Sequence, residues 1–173
     1  MSSVLIYLKN NKKFLIKLLI AILLTGGISL LTFNVLPNYL VIGVDEQEIK
    51  CFDATFYLIV KKFNSKKKYG CFYPINGQMQ PYFNDNQLIF KEIIGRPGDI
   101  LNVKERKFFI NNTFVGEAKK NDRHGKTLKY FVFNGQITDK NYFVISSSEQ
   151  AFDSRYIGFI KEDQFIGNAY PIF

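Results

Sequence analysis

From Leu18 to Leu36 the chain reads "LLIAILLTGGISLLTFNVL", a stretch without one charged side chain, and Phe14 to Ile16 lengthen the apolar run before it. As a helix rising about 1.5 Å per residue, such a stretch is long enough to cross a hydrocarbon layer of roughly 30 Å. It exceeds the apolar region of about 7–15 residues in a cleaved secretory leader, and no A-x-A site follows it. It therefore reads as an uncleaved anchor over residues 14–36. Lys9, Lys12, Lys13 and Lys17 precede it, whereas the next positive residue after it is Lys50. Positive charge flanking a span stays in the cytoplasm. Residues 1–13 are thus expected inside and residues 37–173 outside, on a single-pass protein of the inner (cytoplasmic) membrane.

Beyond Pro37 the chain reads as β. Aromatics make up 16% of the sequence, all of them Phe and Tyr, which suit pleated, half-buried surfaces. Strand-like runs are "TFYLIVKKF" (55–63), "GCFYPI" (70–75), "NQLIFKEIIG" (86–95), "KYFVFNG" (129–135), "NYFVIS" (141–146), "RYIGFI" (155–160) and "FIGNAYPIF" (165–173). "DILNVKERKFFINNTFVG" (99–116) holds two such runs around the polar "KERK", as a hairpin would. No segment after Pro37 sustains a 3.6-residue apolar period. The expected fold is mainly β, an antiparallel barrel or sandwich behind one transmembrane helix. Residues 117–128, "EAKKNDRHGKTL", are polar and aperiodic and read as a surface insertion.

The formal net charge of +8 lies in separate clusters without a base-reading motif, so a lipid bilayer with anionic headgroups explains it better than nucleic acid. His124 is the only histidine and sits in the polar insertion, which argues against Ser-His-Asp chemistry and against a histidine-based metal site. Cys51 and Cys71 stand twenty residues apart and form no CxxC pair. No metal or organic cofactor is implied.

A lysine remains. "IFKEIIGRPGDIL" carries Lys91 within an apolar strand, followed by Gly95, Pro97, Gly98 and Asp99 as a tight turn. An amine taken out of water is disfavoured in its charged form and can act as a general base near neutrality. A lysine that blocks sheet extension from an edge strand would account for the same residue. Further on, "EQAFDSRYIGFI" sets Asp153, Ser154, Arg155 and Gly158 in an otherwise apolar run.

Together these stretches resemble the signal peptidase I family of membrane-anchored peptidases with a Ser-Lys dyad, and within it the conjugative-transfer branch that processes pilins. K-x-x-x-G-x-P-G-D is similar to the family's lysine box, which would make Lys91 the general base. D-S-R-Y-x-G is similar to its closing box, and "INNTFVG" and "NGQITDKNYFVIS" to its connecting segments. The likeness runs from about Val41 to Phe173. It implies that Asp153 and Arg155 brace the walls of the site rather than react. Gly158 would allow close backbone approach, and Asp99 and Ser154 would play structural parts.

The chain departs from the family at two places. Where the conjugative branch has S-x-P-x-G-x-Y, this chain has "CFDATFY", so Cys51 takes the nucleophile's place and Tyr57 the tyrosine's. A thiol is more acidic and more nucleophilic than a hydroxyl, and a Cys-Lys dyad is chemically reasonable. Cys51 could equally form a disulfide with Cys71 in an oxidising compartment. It could also be the relic of a catalytic centre in an inactive, membrane-anchored assembly component. Secondly, a serine that supports the lysine two residues before the closing box is Ala151 here, which leaves Ser146, Ser147 or Ser148 as substitutes. The implied substrates are secreted or pilin precursors with small side chains at the cleaved site, and the implied partners are conjugation or type IV secretion components. Transfer of the acyl group to water or to an amine is open.

Overall fold

The computed structural model describes residues 11–44 and 54–172. Two compact units divide the chain, Met1–Tyr39 and Leu40–Phe173.

The described part of the first unit is helical from Lys12 to Tyr39, with a mean hydropathy of 2.4 and none of its residues buried within the protein. It comprises α1 (Lys12–Leu30), a π-helical turn over Leu31–Val35, and α2 (Leu36–Tyr39). The helix thus continues past Leu36, three residues beyond the expected boundary. Pro37 has no N–H to return to the preceding turn, and a widened turn immediately before it accommodates the ring without ending the helix. The length and apolar composition of this helix are those of a membrane span.

The second unit is antiparallel β, as its aromatic and β-branched runs predict. Its strands are β1 (Leu40–Val44), β2 (Phe56–Val60), β3 (Tyr69–Phe72), β4 (Ile89–Gly95), β5 (Ile100–Lys104), β6 (Lys107–Ile110), β7 (Thr113–Glu117), β8 (Asn134–Gln136), β9 (Asn141–Ile145), β10 (Ile160–Lys161) and β11 (Phe165–Pro171). Seven of them form one sheet in the order β1-β2-β11-β3-β4-β9-β10, and four form another in the order β7-β6-β5-β8. The polar "KERK" is the β5–β6 turn, with Glu105 at positive φ, and Asn111 and Asn112 turn β6 into β7 with φ of 48° and 67°. Asparagine tolerates that left-handed backbone better than other non-glycine residues, which is why "INNT" makes so short a corner.

Two of the expected strands are not strands. "KYFVFNG" contributes only Asn134 to β8 before its last glycine, while Phe131 and Phe133 turn inward against Phe159. "RYIGFI" opens as a helical turn, α3 (Ser154–Ile157), and only Ile160 belongs to a strand. The cause is local. The Asp153 side chain accepts the Arg155 backbone N–H, the capping bond that starts a helix, and Gly158 closes the turn at φ 81°. A Cβ on Gly158 would lie 2.9 Å from the Phe131 ring, so the close approach expected there is made by an aromatic side chain rather than by backbone.

Strand alternation fixes the setting of β4. Ile89, Lys91 and Ile93 are buried on one face, and Phe90, Glu92 and Ile94 point to the other. The first face joins a core of Phe72, Met79, Tyr142, Val144, Ile160 and Phe165. A second core, around Leu101, Phe108, Ile137 and Phe143, fills the space beside the smaller sheet.

Candidate active site

Lys91 is 1% exposed, held between two core isoleucines of its own strand. Its Nζ donates to Ser146 Oγ at 2.7 Å and stands 5.8 Å from the centre of the Phe83 ring. The register explains the serine. Ile93 pairs with Val144 and Glu92 with Ile145, so one step further along the β4–β9 ladder brings Ser146 level with Lys91 on the same face. Of the three serines that could replace the absent one, Ser146 is therefore the partner. Ala151 is buried nearby, and its backbone alone bonds: its N–H donates to the Ser148 carbonyl at 3.2 Å and its carbonyl accepts from Arg155 Nη2 at 3.3 Å.

Behind Ser146 stands the closing box. The Ser146 backbone N–H donates to Asp153 Oδ2 at 3.0 Å. Arg155 meets the same carboxylate through Nε to Oδ1 at 2.9 Å and Nη2 to Oδ2 at 2.8 Å. Its remaining donors reach the carbonyls of Ser148 and Glu117. Both side chains are nearly fully buried, and a buried pair is tolerable only with such complete hydrogen bonding. The Ser154 hydroxyl accepts the Val144 N–H at 3.0 Å, which pins α3 to β9. Lys91, Ser146, Asp153 and Arg155 thus form one continuous chain of contacts.

Asp99 belongs elsewhere. It accepts the Arg96 N–H at 2.8 Å and the Asn111 side-chain amide at 2.8 Å, closing the turn after β4, where Gly98 takes φ 94°. Tyr57 is buried, donates to the Ala54 carbonyl at 2.9 Å and stacks on Phe90 at 5.0 Å, on the sheet face opposite Lys91. Cys51 lies outside the described residues, so its distance from Lys91 does too. Cys71 is a buried free thiol, and its expected alternative pairing with Cys51 falls on a residue outside those described. Pairing of Gly70 with Lys91 and of Cys71 with Phe90 turns Cys71 to the face away from Lys91. Burial pushes the Cys71 thiol up to about 12, so it stays protonated and inert.

A cavity of about 540 Å³ reaches Lys91. One wall is Tyr82, Phe83, Phe152 and Tyr156. The other comes from the segment read as a surface insertion, through Lys119, Asn121, Asp122, Arg123 and Leu128. The segment is largely exposed, as that reading expects, and it also walls the cavity. Long-range bonds hold it there. Arg106 donates to the carbonyls of Ala118, Lys119 and Leu128, and Lys119 N–H donates to the Tyr156 hydroxyl at 2.9 Å. The Tyr82 hydroxyl donates to Asp122 Oδ2 at 2.6 Å across the mouth. This bond raises the Tyr82 phenol to about 12 and lowers the Asp122 carboxyl below its ordinary range. Its contribution is therefore complete from just above the ordinary carboxylate range to about pH 10. It is lost only as pH falls through the depressed Asp122 value or rises through about 12. His124 is exposed at the tip of this loop, as expected. Among the described residues no cluster of His, Cys, Asp and Glu could hold a metal ion.

The chemistry available is that of a buried amine with a fixed hydroxyl partner, opening on a cleft large enough for several residues of peptide. No curated protein matches the chain. A crystal structure of a signal peptidase I from Enterococcus faecalis V583 is similar over 62% of this chain and 98% of that one, at 21% identity and a TM-score of 0.39. The signal peptidase family, peptidase S26, matches residues 14–173, which takes in the apolar helix, the lysine strand and the closing box alike. By that match, spanning nearly its whole length, the chain belongs to the signal peptidase S26 family of membrane-associated endopeptidases.

Proposed function

We propose that the protein is a membrane-anchored endopeptidase that cleaves secreted or pilin precursors in a conjugative-transfer or type IV secretion apparatus, with Cys51 as nucleophile and Lys91 as general base. The observation that carries this reading is Lys91 itself, buried in an apolar core yet bonded to a hydroxyl at the end of a roomy cleft. An edge lysine that guards against sheet extension is exposed and lies on an outer strand. β4 is an inner strand, between β3 and β9.

The reaction follows from these groups. Lys91 Nζ, as general base, takes the proton from the Cys51 thiol as Sγ bonds to the scissile carbonyl carbon. The resulting oxyanion is held by backbone N–H donors, that of Cys51 among them. The C–N bond then breaks, and Lys91 returns the proton to the departing amine. Water attacks the thioester, again giving a proton to Lys91, and the acid product leaves with the thiol restored. Donation of one Nζ hydrogen to Ser146 fixes the amine and leaves its lone pair for the nucleophile. Asp153 and Arg155 act through Ser146, holding the backbone that carries its hydroxyl.

Lys91→Arg keeps the positive charge but cannot lose a proton, since arginine stays protonated in proteins. Purified wild-type protein should cleave a pilin precursor, as read by intact mass, and Lys91→Arg should not. Cys51→Ala should be inactive, and Cys51→Ser should retain measurable activity. Cleavage by Lys91→Arg at the wild-type rate would end the dyad reading, whereas no cleavage by the wild-type protein would favour an assembly role without catalysis.

A further inference from the structure

Small side chains at the cleaved site do not account for the cavity beside Lys91. A volume of about 540 Å³ far exceeds what an alanine fills, and pockets of this size usually take groups the size of a cofactor or several residues. Its inner wall is a run of aromatic rings. Phe152 stacks on Tyr156 with centroids 5.0 Å apart and an interplanar angle of 11°, and Tyr82 leans on Phe152 at 4.7 Å. The facing wall is preformed, because Arg106 and Tyr156 fasten the 117–128 loop at its base, through Ala118, Lys119 and Leu128, and Tyr82 fastens it further out at Asp122. Leu128 adds an apolar surface from that side.

We infer that this cavity is a specificity subsite for a large aromatic or branched apolar side chain of the precursor, seated against Phe152 within a few residues of the scissile bond. The inference rests on the peptidase reading above for its substrate, and on the cavity alone for its chemistry. Flat rings at van der Waals separation favour another ring in offset or edge-on contact. Phe152 precedes Asp153 directly, so the brace that sets Ser146 and Lys91 also sets the floor of the subsite. A side chain seated there would register the peptide against the lysine. This makes Phe152 a specificity-determining residue and gives the loop of residues 117–128 its reason to be tied down.

The test uses the full chain in detergent and a peptide series in which one precursor sequence carries Ala or Phe, in turn, at each of the four positions on either side of the cleaved bond. Wild-type protein should favour Phe at one position by on the order of tenfold in kcat/KM, expressed mainly in KM. Phe152→Ala should bring that ratio close to one, and Phe152→Leu, which keeps apolar bulk, should retain part of it. No position favouring Phe, or a preference unmoved by Phe152→Ala, would overturn the inference. If the wild-type protein cleaves none of the peptides, their binding is read by fluorescence anisotropy instead. Tighter binding of one Phe peptide, lost in Phe152→Ala, would then support the subsite while the peptidase reading fell. Equal binding of all peptides would overturn the subsite as well.

Discussion

A lysine amine inside a protein core is costly unless a partner compensates for its lost water. For Lys91 the hydroxyl of Ser146 supplies a bond, and the carboxylate one step beyond is already committed to Arg155. Lysine, serine, aspartate and arginine are thus ranked, with the aspartate placing the serine and the serine placing the amine. Ser146→Ala should lower kcat by roughly ten- to a hundredfold with KM nearly unchanged, because the serine holds the base and does not line the cleft. Ser146→Thr should recover most of the loss. A purely structural serine would instead leave kcat intact while lowering thermal stability. The apolar neighbours of Lys91 pointed to its burial, but on them alone an edge lysine accounted for it equally, and only the likeness of K-x-x-x-G-x-P-G-D to the family's lysine box singled it out. Ser146 was one of three serines in a row, and only the pairing of β4 with β9 selects it, which no local pattern encodes.

At the scale of elements, the closing box is a small helix tied to a strand. Its ion pair is buried on both sides, and loss of one member strands the other charge in the core. Asp153→Ala should therefore destabilise the β unit by about 3–5 kcal/mol. The measurement is chemical denaturation followed by circular dichroism, and a change below about 1 kcal/mol would show that the pair holds nothing together. The helical turn was hidden in the sequence because "RYIGFI" has the composition of a strand, and the capping bond from Asp153 decides the matter. The loop of residues 117–128 was hidden for a different reason. Polar, aperiodic sequence signals a surface, and this loop is a surface, but the bonds that lay it along the cleft come from residues as distant as Tyr82 and Tyr156. Long-range hydrogen bonds leave no periodic trace.

At the scale of the whole molecule, an apolar helix and a β unit are joined in one chain, and both lie within the segment matched by the signal peptidase family. The apolar helix and the β class were legible early, since a charge-free apolar run and runs of aromatic and β-branched residues report directly on solvent and pleat. We propose that the β unit lies outside the cytoplasm, because lysines cluster before the apolar run and none follows it until Lys50. Protease added to intact spheroplasts should accordingly digest residues beyond the helix, and complete protection would reverse the orientation. The catalytic reading itself is tested most directly on the enzyme rather than on its product. Wild-type protein mixed with excess precursor, quenched in acid within the first turnover and weighed intact, should carry the mass of the N-terminal fragment as a thioester that maps to Cys51. The Lys91→Arg protein should carry none. Precursor cleavage by the wild-type protein with no adduct on Cys51, or an adduct formed equally by Lys91→Arg, would contradict a Cys51–Lys91 mechanism.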